Sequence, residues 1–103
     1  EWDTGQRLIL QNNGDNIPDG ATMVITNTAG TEVTFEFNHV DPNNGHQWID
    51  LNAGDRRAAI FDAINAAAFG VVATLSAPNV IRLEGDATID LDEFIQDLGV
   101  ANQ

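Results

Sequence analysis

The chain has 103 residues, which is the size of one domain, and 43% of them are hydrophobic, which is too many for a disordered chain. Sixteen acidic residues against four basic ones give a formal net charge of -12, so the chain repels phosphate backbones and anionic lipid surfaces. Cysteine is absent, which excludes disulfides, thiol nucleophiles and cysteine-ligated metal ions. These features, with the lack of an apolar run long enough to cross a bilayer, argue against nucleic-acid partners and against membrane insertion.

The four basic residues are all arginines, and the absence of lysine beside so many aspartates is typical of a chain kept soluble by hydrated carboxylates. Extracellular or cell-surface surroundings, rich in calcium or salt, fit this composition. An ordinary acidic composition in a soluble domain fits it equally well, because net charge governs solubility rather than fold.

The N-terminal part contains a short apolar segment, residues 7–11, that predicts a strand. Residues 12–20 follow, and their Asn, Asp and Gly content predicts a loop that closes on a Pro-Asp-Gly turn. We therefore expect residues 1–18 to form an N-terminal strand or linker that another subunit can use. Residues 19–103 are then expected to form a single α+β domain.

A β-hairpin is predicted in the first third of the chain. Its two strands, residues 21–26 and 32–38, flank a turn, and the second strand alternates strictly between apolar and polar side chains. Val33, Phe35 and Phe37 share one face of that strand, so the opposite face is predicted to meet water.

A further short strand is predicted over residues 47–51, after a second segment rich in turn residues. Alternation places Ile49 on one face of this strand. Trp48 and Asp50 are then expected to face the opposite way.

One helix is predicted over residues 56–69, where the spacing of the apolar residues changes from two to about 3.6. Asp55 stands where a helix N-cap belongs, and Gly70 stands where a C′ glycine belongs. The residues that recur at helical spacing are Ile60, Ala63, Ile64, Ala67 and Ala68.

The C-terminal third predicts a second hairpin from residues 71–76 and 79–84. In the tail, Asp90 or Asp92 is positioned to cap a short helix that ends near Gly99. The predicted fold class is therefore α+β, with a mostly antiparallel sheet of two hairpins and additional strands packed against one central helix.

No catalytic signature stands out from the sequence. Ser76 is the only serine, and no Gly-x-Ser-x-Gly turn surrounds it, so a triad with His39 or His46 and the nearby Asp41 or Asp50 is rejected. We expect no catalytic residues and no enzyme activity. The two histidines are expected to be ordinary solvated loop residues.

Calcium is the most reasonable ion for this chain, because it binds clustered carboxylate, amide and carbonyl oxygens. Turn chemistry, helix capping and solubility explain the same residues, and the glutamate that completes an EF-hand loop is missing. The oxygen-rich segments are residues 13–20, Asp41 with Asn43 and Asn44, and Asp86 with Asp90 and Asp92.

A calcium-dependent module that binds surface glycans is one functional hypothesis. Asp41, Asn43 and Asp50 would hold the calcium ion, and Trp48 would offer an aromatic face on which a sugar ring stacks. Packing within the sheet is the alternative explanation of Trp48.

Five segments occur in an order that resembles a tandem repeat domain of very large secreted or surface proteins of environmental bacteria, and the helix-to-strand part is also similar to the hook-associated "IN" motif of flagellins. The resemblance covers about residues 19–84 and implies a non-catalytic, extracellular building or adhesion module with no active-site residue. The loop of residues 38–45 and the acidic tail depart from the pattern. The segments are Asp19-Gly20, Val33-Thr34-Phe35-Glu36-Phe37, Ala63-Ile64-Asn65-Ala66-Ala67, Val71-Val72-Ala73-Thr74 and Val80-Ile81-Arg82-Leu83.

The leading functional hypothesis is an extracellular structural or adhesion module that assembles through contacts with copies of itself or with neighbouring repeat domains. Polymerisation into a filament would use Arg7, Leu8, Ile9 and Leu10 as a strand that completes a neighbour's sheet, with Trp2 anchoring the junction.

Overall fold

The computed structural model describes residues 6–77, 79–84, 87–93 and 95–102. Within these ranges the chain forms eight strands and one α-helix, with one turn of 3-10 helix at Asn12–Gly14. In chain order the elements are β1 (Gln6–Leu10), β2 (Ala21–Thr26), β3 (Glu32–Asn38), β4 (Gln47–Asp50), α1 (Arg56–Ala67), β5 (Val72–Ala77), β6 (Val80–Glu84), β7 (Thr88–Leu91) and β8 (Leu98–Asn102).

The strands form two four-stranded sheets. The first sheet has the strand order β5-β6-β1-β8, and the second sheet has the order β4-β3-β2-β7. Neighbouring strands are antiparallel, except that β3 and β4 run parallel. The predicted α+β class is confirmed, and so are the two hairpins, β2 with β3 and β5 with β6.

The two sheets and the helix share one core. Alternate residues of each strand point into it, as the fully buried Leu8 of β1 and Phe35 and Phe37 of β3 show. α1 packs beside β4 and β5, which are edge strands of different sheets, and contributes the fully buried Ile60 and Ile64. The helix therefore closes one side of the core.

The helix begins where its capping residue predicts. The carboxylate of Asp55 accepts a hydrogen bond from the backbone N–H of Ala58, which satisfies one of the free donors of the first turn. The helix ends two residues before the predicted end, because Ala68 adopts a left-handed conformation with φ of 54°. In the part of the chain that the structure describes, no helix is long and apolar enough to cross a membrane.

The predicted tail helix is wrong, because both ends of that segment form strands. Thr88 and Asp90 are exposed while Ile89 and Leu91 are half-buried, so the side chains alternate with a period of two, and β7 pairs with β2. The backbone N–H of Asp92 continues this ladder beyond β7. Neither Asp90 nor Asp92 caps a helix.

The structure places β1, which precedes the predicted boundary between residues 18 and 19, next to strands from the C-terminal part of the chain. β1 lies inside the first sheet, paired with β6 on one side and with β8 on the other. Its residues Leu8 and Leu10 are buried in the common core. Both edges and one face of β1 are therefore occupied by this chain.

Candidate functional site

The loop that joins β3 to β4, residues 39–46, lies among several residues of the predicted site. In the parallel pairing of these strands Phe35 stands opposite Gln47, so the chain must travel back along the sheet before β4 begins. Phe35 and Phe37 face the core, and Glu36 faces the other way. The returning loop passes over this outer face and covers Glu36.

The carboxylate of Glu36 is the centre of a polar cluster under this loop. Its Oε1 accepts from Asn44 Nδ2 at 3.0 Å and lies 2.9 Å from His46 Nδ1, and its Oε2 accepts from Asn38 Nδ2 at 3.2 Å. Only 12% of the Glu36 side chain is exposed. The hydrogen bonds from Asn44 and His46 lower the pKa of this carboxyl group, since they favour its charged form.

A second contact ties the beginning of the loop to the turn before β2. His39 Nδ1 meets the carboxylate of Asp19, and the backbone carbonyl of His39 accepts from Asn52 Nδ2 at 2.6 Å. Each histidine thus joins one end of the loop to a carboxylate. Sequence reasoning missed the partner of His46, because Glu36 meets it only when the chain folds back over the sheet.

The residues predicted to hold calcium are engaged in turns. Asp41 Oδ1 accepts from the backbone N–H of Asn43 at 2.9 Å, and Asp50 Oδ1 accepts from that of Asn52 at 2.8 Å. These are the local side-chain bonds that stabilise turns. Among the described residues, no group of three or more His, Asp or Glu side chains is placed to hold a metal ion.

The oxygen-rich segment of residues 13–20 touches this loop at Asp19, the partner of His39. Asp97 accepts from the side chain of Asn12 and from the backbone N–H of Asn16, so its carboxylate fastens the turn of residues 12–16. Asp90 stands in β7, and Asp86 lies outside the described residues.

Trp48 lies on β4, at the edge of the second sheet, and 37% of it is exposed. Its Nε1 donates to the carbonyl of Asn38 at 3.0 Å, so the polar end of the indole is already bound. Glu36 stands directly beside it on β3. The ring is therefore held against the polar cluster, at the outer face of the second sheet.

The predicted assembly strand is β1, and its four named residues are divided between two faces. Leu8 and Leu10 point into the core, whereas Arg7 and Ile9 point to the outer face of the first sheet. Trp2 lies outside the described residues. The strand has no free edge in the single chain, because β6 and β8 flank it.

The outer faces of the two sheets differ in charge. On the first sheet, Arg7 of β1 stands opposite Arg82 of β6, and we call this outer surface, with Ile9, Val80 and Glu84, the arginine face. It holds two of the four basic residues of the chain. The outer surface of the second sheet, which we call the acidic face, carries Glu32, Glu36, Asp50 and Asp90.

Comparisons with models of known families, with curated proteins and with solved structures find no match to this chain. The resemblance carried by residues 19–84 therefore stays a prediction. Function has to be inferred from the geometry of the chain itself.

Proposed function

We propose that the chain is a non-enzymatic structural or adhesion module of the cell exterior, which works through contacts with copies of itself or with neighbouring modules. The observation that carries this proposal is the difference in charge between the arginine face and the acidic face. A chain with a net charge of -12 nevertheless places half of its arginines side by side on one surface.

Arg7 stands directly opposite Arg82, and like charges in this position repel each other. Glu84 is a carboxylate on the same face. Within the described part of the chain, no group accepts a hydrogen bond from the buried Nε of Arg7. A carboxylate surface placed over this face would offset the repulsion, and arginine forms strong hydrogen bonds with carboxylates.

The acidic face of a second module is a complementary partner for this surface. The two faces belong to different sheets, so the contact joins unlike surfaces. A module that binds through its arginine face leaves its acidic face free for the next module, and the reverse holds at the other end. A contact of this type continues into an open chain unless its rotation closes a ring. Such contacts suit a module repeated within a large protein or assembled from separate subunits.

Two features of the sequence support a location outside the cell. The chain is strongly acidic and contains no lysine, and its motifs resemble a repeat domain of large secreted or surface proteins. Both features come from the sequence, and the opposite charges of the two faces agree with a module that contacts others of its kind.

The test compares self-association of the wild-type chain with that of two arginine variants in sedimentation velocity runs. Arg7→Glu reverses a charge on the arginine face, whereas Arg57→Glu makes the same change in net charge near the beginning of α1. We expect Arg7→Glu to abolish species larger than a dimer and Arg57→Glu to preserve them. Equal behaviour of the two variants, or a wild type that forms no such species, would contradict the proposal.

A further inference from the structure

In the part of the chain that the structure describes, no strand pairs with the outer edge of β8. The N–H of Gln11 donates to the carbonyl of Asp97, which marks this pair as a hydrogen-bonded pair of the antiparallel ladder between β1 and β8. Hydrogen-bonded pairs alternate along such a ladder, so Ile9 with Gly99 is the next one. The N–H and C=O groups of Leu98 and Val100 therefore point away from β1.

Side chains of the same chain occupy parts of two other sheet edges. On β5, Asn65 bonds to both backbone groups of Ala73, and the ladder is irregular after Leu75. On β7, Gln6 Oε1 accepts from the N–H of Ile89 at 2.6 Å. The fourth edge, β4, has only four residues and has α1 packed beside it.

The composition of β8 also distinguishes its edge. Leu98-Gly99-Val100-Ala101-Asn102 contains no charged residue, and charged side chains are a common protection of exposed edges. Asp90, in contrast, stands exposed on the edge strand β7. Among the described residues, no hydrogen bond is recorded to the outward backbone groups of Leu98 and Val100. A groove of about 220 Å³ runs beside this edge and is lined by Ile9, Gln11, Asp97, Leu98, Gly99 and Val100.

We propose that β8 is the site at which a second copy of this chain adds, so that two β8 strands pair antiparallel across a twofold axis. Val100 would face its counterpart, and Leu98 would face Asn102 of the other copy. This register uses the outward groups of all three residues, and it joins the two first sheets into one sheet of eight strands. The inference deepens the proposed function, since it names one contact between modules.

A second copy fits this edge for a geometric reason. An antiparallel strand pair centred on Val100 is self-complementary, so the same edge serves as both donor and acceptor surface and the assembly closes at two copies. The strand itself is uncharged, so no like charges meet within the pair. An edge of five residues is a small contact compared with a standard interface, so we expect a weak dimer that forms at high protein concentration.

The first test measures the dimer in sedimentation equilibrium with two variants at one position. Val100→Pro removes the outward N–H and places a ring at the edge, while the bonds between β8 and β1 are left intact. Val100→Ala truncates the same side chain but keeps the N–H. We expect Val100→Pro to raise the dissociation constant of the dimer about tenfold or more and Val100→Ala to leave it nearly unchanged.

A second pair of variants covers the case in which Val100→Pro fails to fold. A Cβ at Gly99 meets no atom within 4 Å, so the side chains of Gly99→Glu and Gly99→Gln can both be accommodated. Glutamate places like charges on both copies beside the twofold axis, and we expect it to weaken the dimer more than glutamine does.

Amide hydrogen exchange locates the contact directly. We expect the N–H of Val100 to become more protected as protein concentration rises, while that of Ala101, which bonds to β1, is protected throughout. A monomeric wild type at high concentration, or a dimer that Val100→Pro leaves unchanged in a folded chain, would overturn the inference. Larger species that Arg7→Glu abolishes, together with the absence of any dimer that Val100→Pro weakens, would support the proposed function and refute the β8 contact.

Discussion

The side-chain amide of Asn65 in α1 bonds to the backbone of Ala73 in β5 as a neighbouring strand would. Asn65 Oδ1 accepts from the N–H of Ala73 at 2.9 Å, and Asn65 Nδ2 donates to the carbonyl of Ala73 at 3.2 Å. One helix residue thus attaches α1 to the edge of the first sheet and occupies the outward groups of that edge. The asparagine at the centre of Ala-Ile-Asn-Ala-Ala has a structural role in this fold.

Replacing Asn65 with alanine should therefore destabilise the chain and open the edge of β5. Loss of two hydrogen bonds to backbone groups at a partly buried site is expected to lower the free energy of unfolding by about 1–2 kcal/mol. Urea denaturation measures this change, and light scattering detects the added aggregation. Asp62→Asn, on the exposed side of the same helix, is the control and should change neither quantity.

Leu8→Ala should be far more costly than Ile9→Ala. Leu8 is fully buried in the core, whereas Ile9 faces outward on the same strand, so we expect losses of about 3 and about 1 kcal/mol. Denaturant unfolding of both variants checks the difference. A chain that begins at residue 12 should give the circular dichroism of an unfolded protein, and a folded spectrum would instead identify β1 as an exchangeable strand.

Glu36 should make the stability of the chain depend on pH in the acid range. The pKa of its carboxyl group is lower in the folded chain than in the unfolded one, so its contribution is present above the unfolded pKa and is lost as pH falls through the folded pKa. Unfolding curves of the wild type and of Glu36→Gln across the acid range should converge as the pH falls. A constant difference between the two curves would mean that Glu36 does not titrate as the hydrogen bonds from Asn44 and His46 imply.

Calcium should leave the melting temperature unchanged. Asp41 and Asp50 already bond to backbone N–H groups in turns of their own, so an ion would have to break these bonds to gather the ligands. An ion that bound the folded chain alone would add about 2.7 kcal/mol at a hundredfold excess over its dissociation constant. Thermal melts with millimolar calcium, and with magnesium as the control, make this comparison. A rise specific to calcium would revive the glycan-binding hypothesis.

Several elements could be predicted because their signals are local. The strict alternation of β3, the change to helical spacing at Ile60 and the capping carboxylate of Asp55 depend only on nearby residues. The prediction of a helix in the tail is wrong because aspartates suit both helix caps and exposed strand positions. The pairing of β7 with β2 favours the strand over the helix.

The candidate site was predicted less well than the fold. Asp41, Asn43 and Asp50 are suitable calcium ligands by residue type. The carboxylates of Asp41 and Asp50, however, already accept hydrogen bonds from backbone N–H groups in local turns. The alternation of β3 places Glu36 on the face predicted to meet water, but it does not indicate the partners of this carboxylate. Its cluster with Asn44 and His46 forms because the parallel pairing of β3 and β4 sends the connecting loop back over it.

The fold class, both hairpins and the beginning of the helix follow from periodicity and capping, which depend on residues close together in the chain, and the acidic charge follows from composition. Three relationships depend on the folded chain: β1 is an inner strand, Arg7 stands opposite Arg82, and no described strand pairs with the outer edge of β8. These relationships join residues that are far apart in sequence. They arise when buried faces and strand registers are satisfied together, which no local pattern specifies.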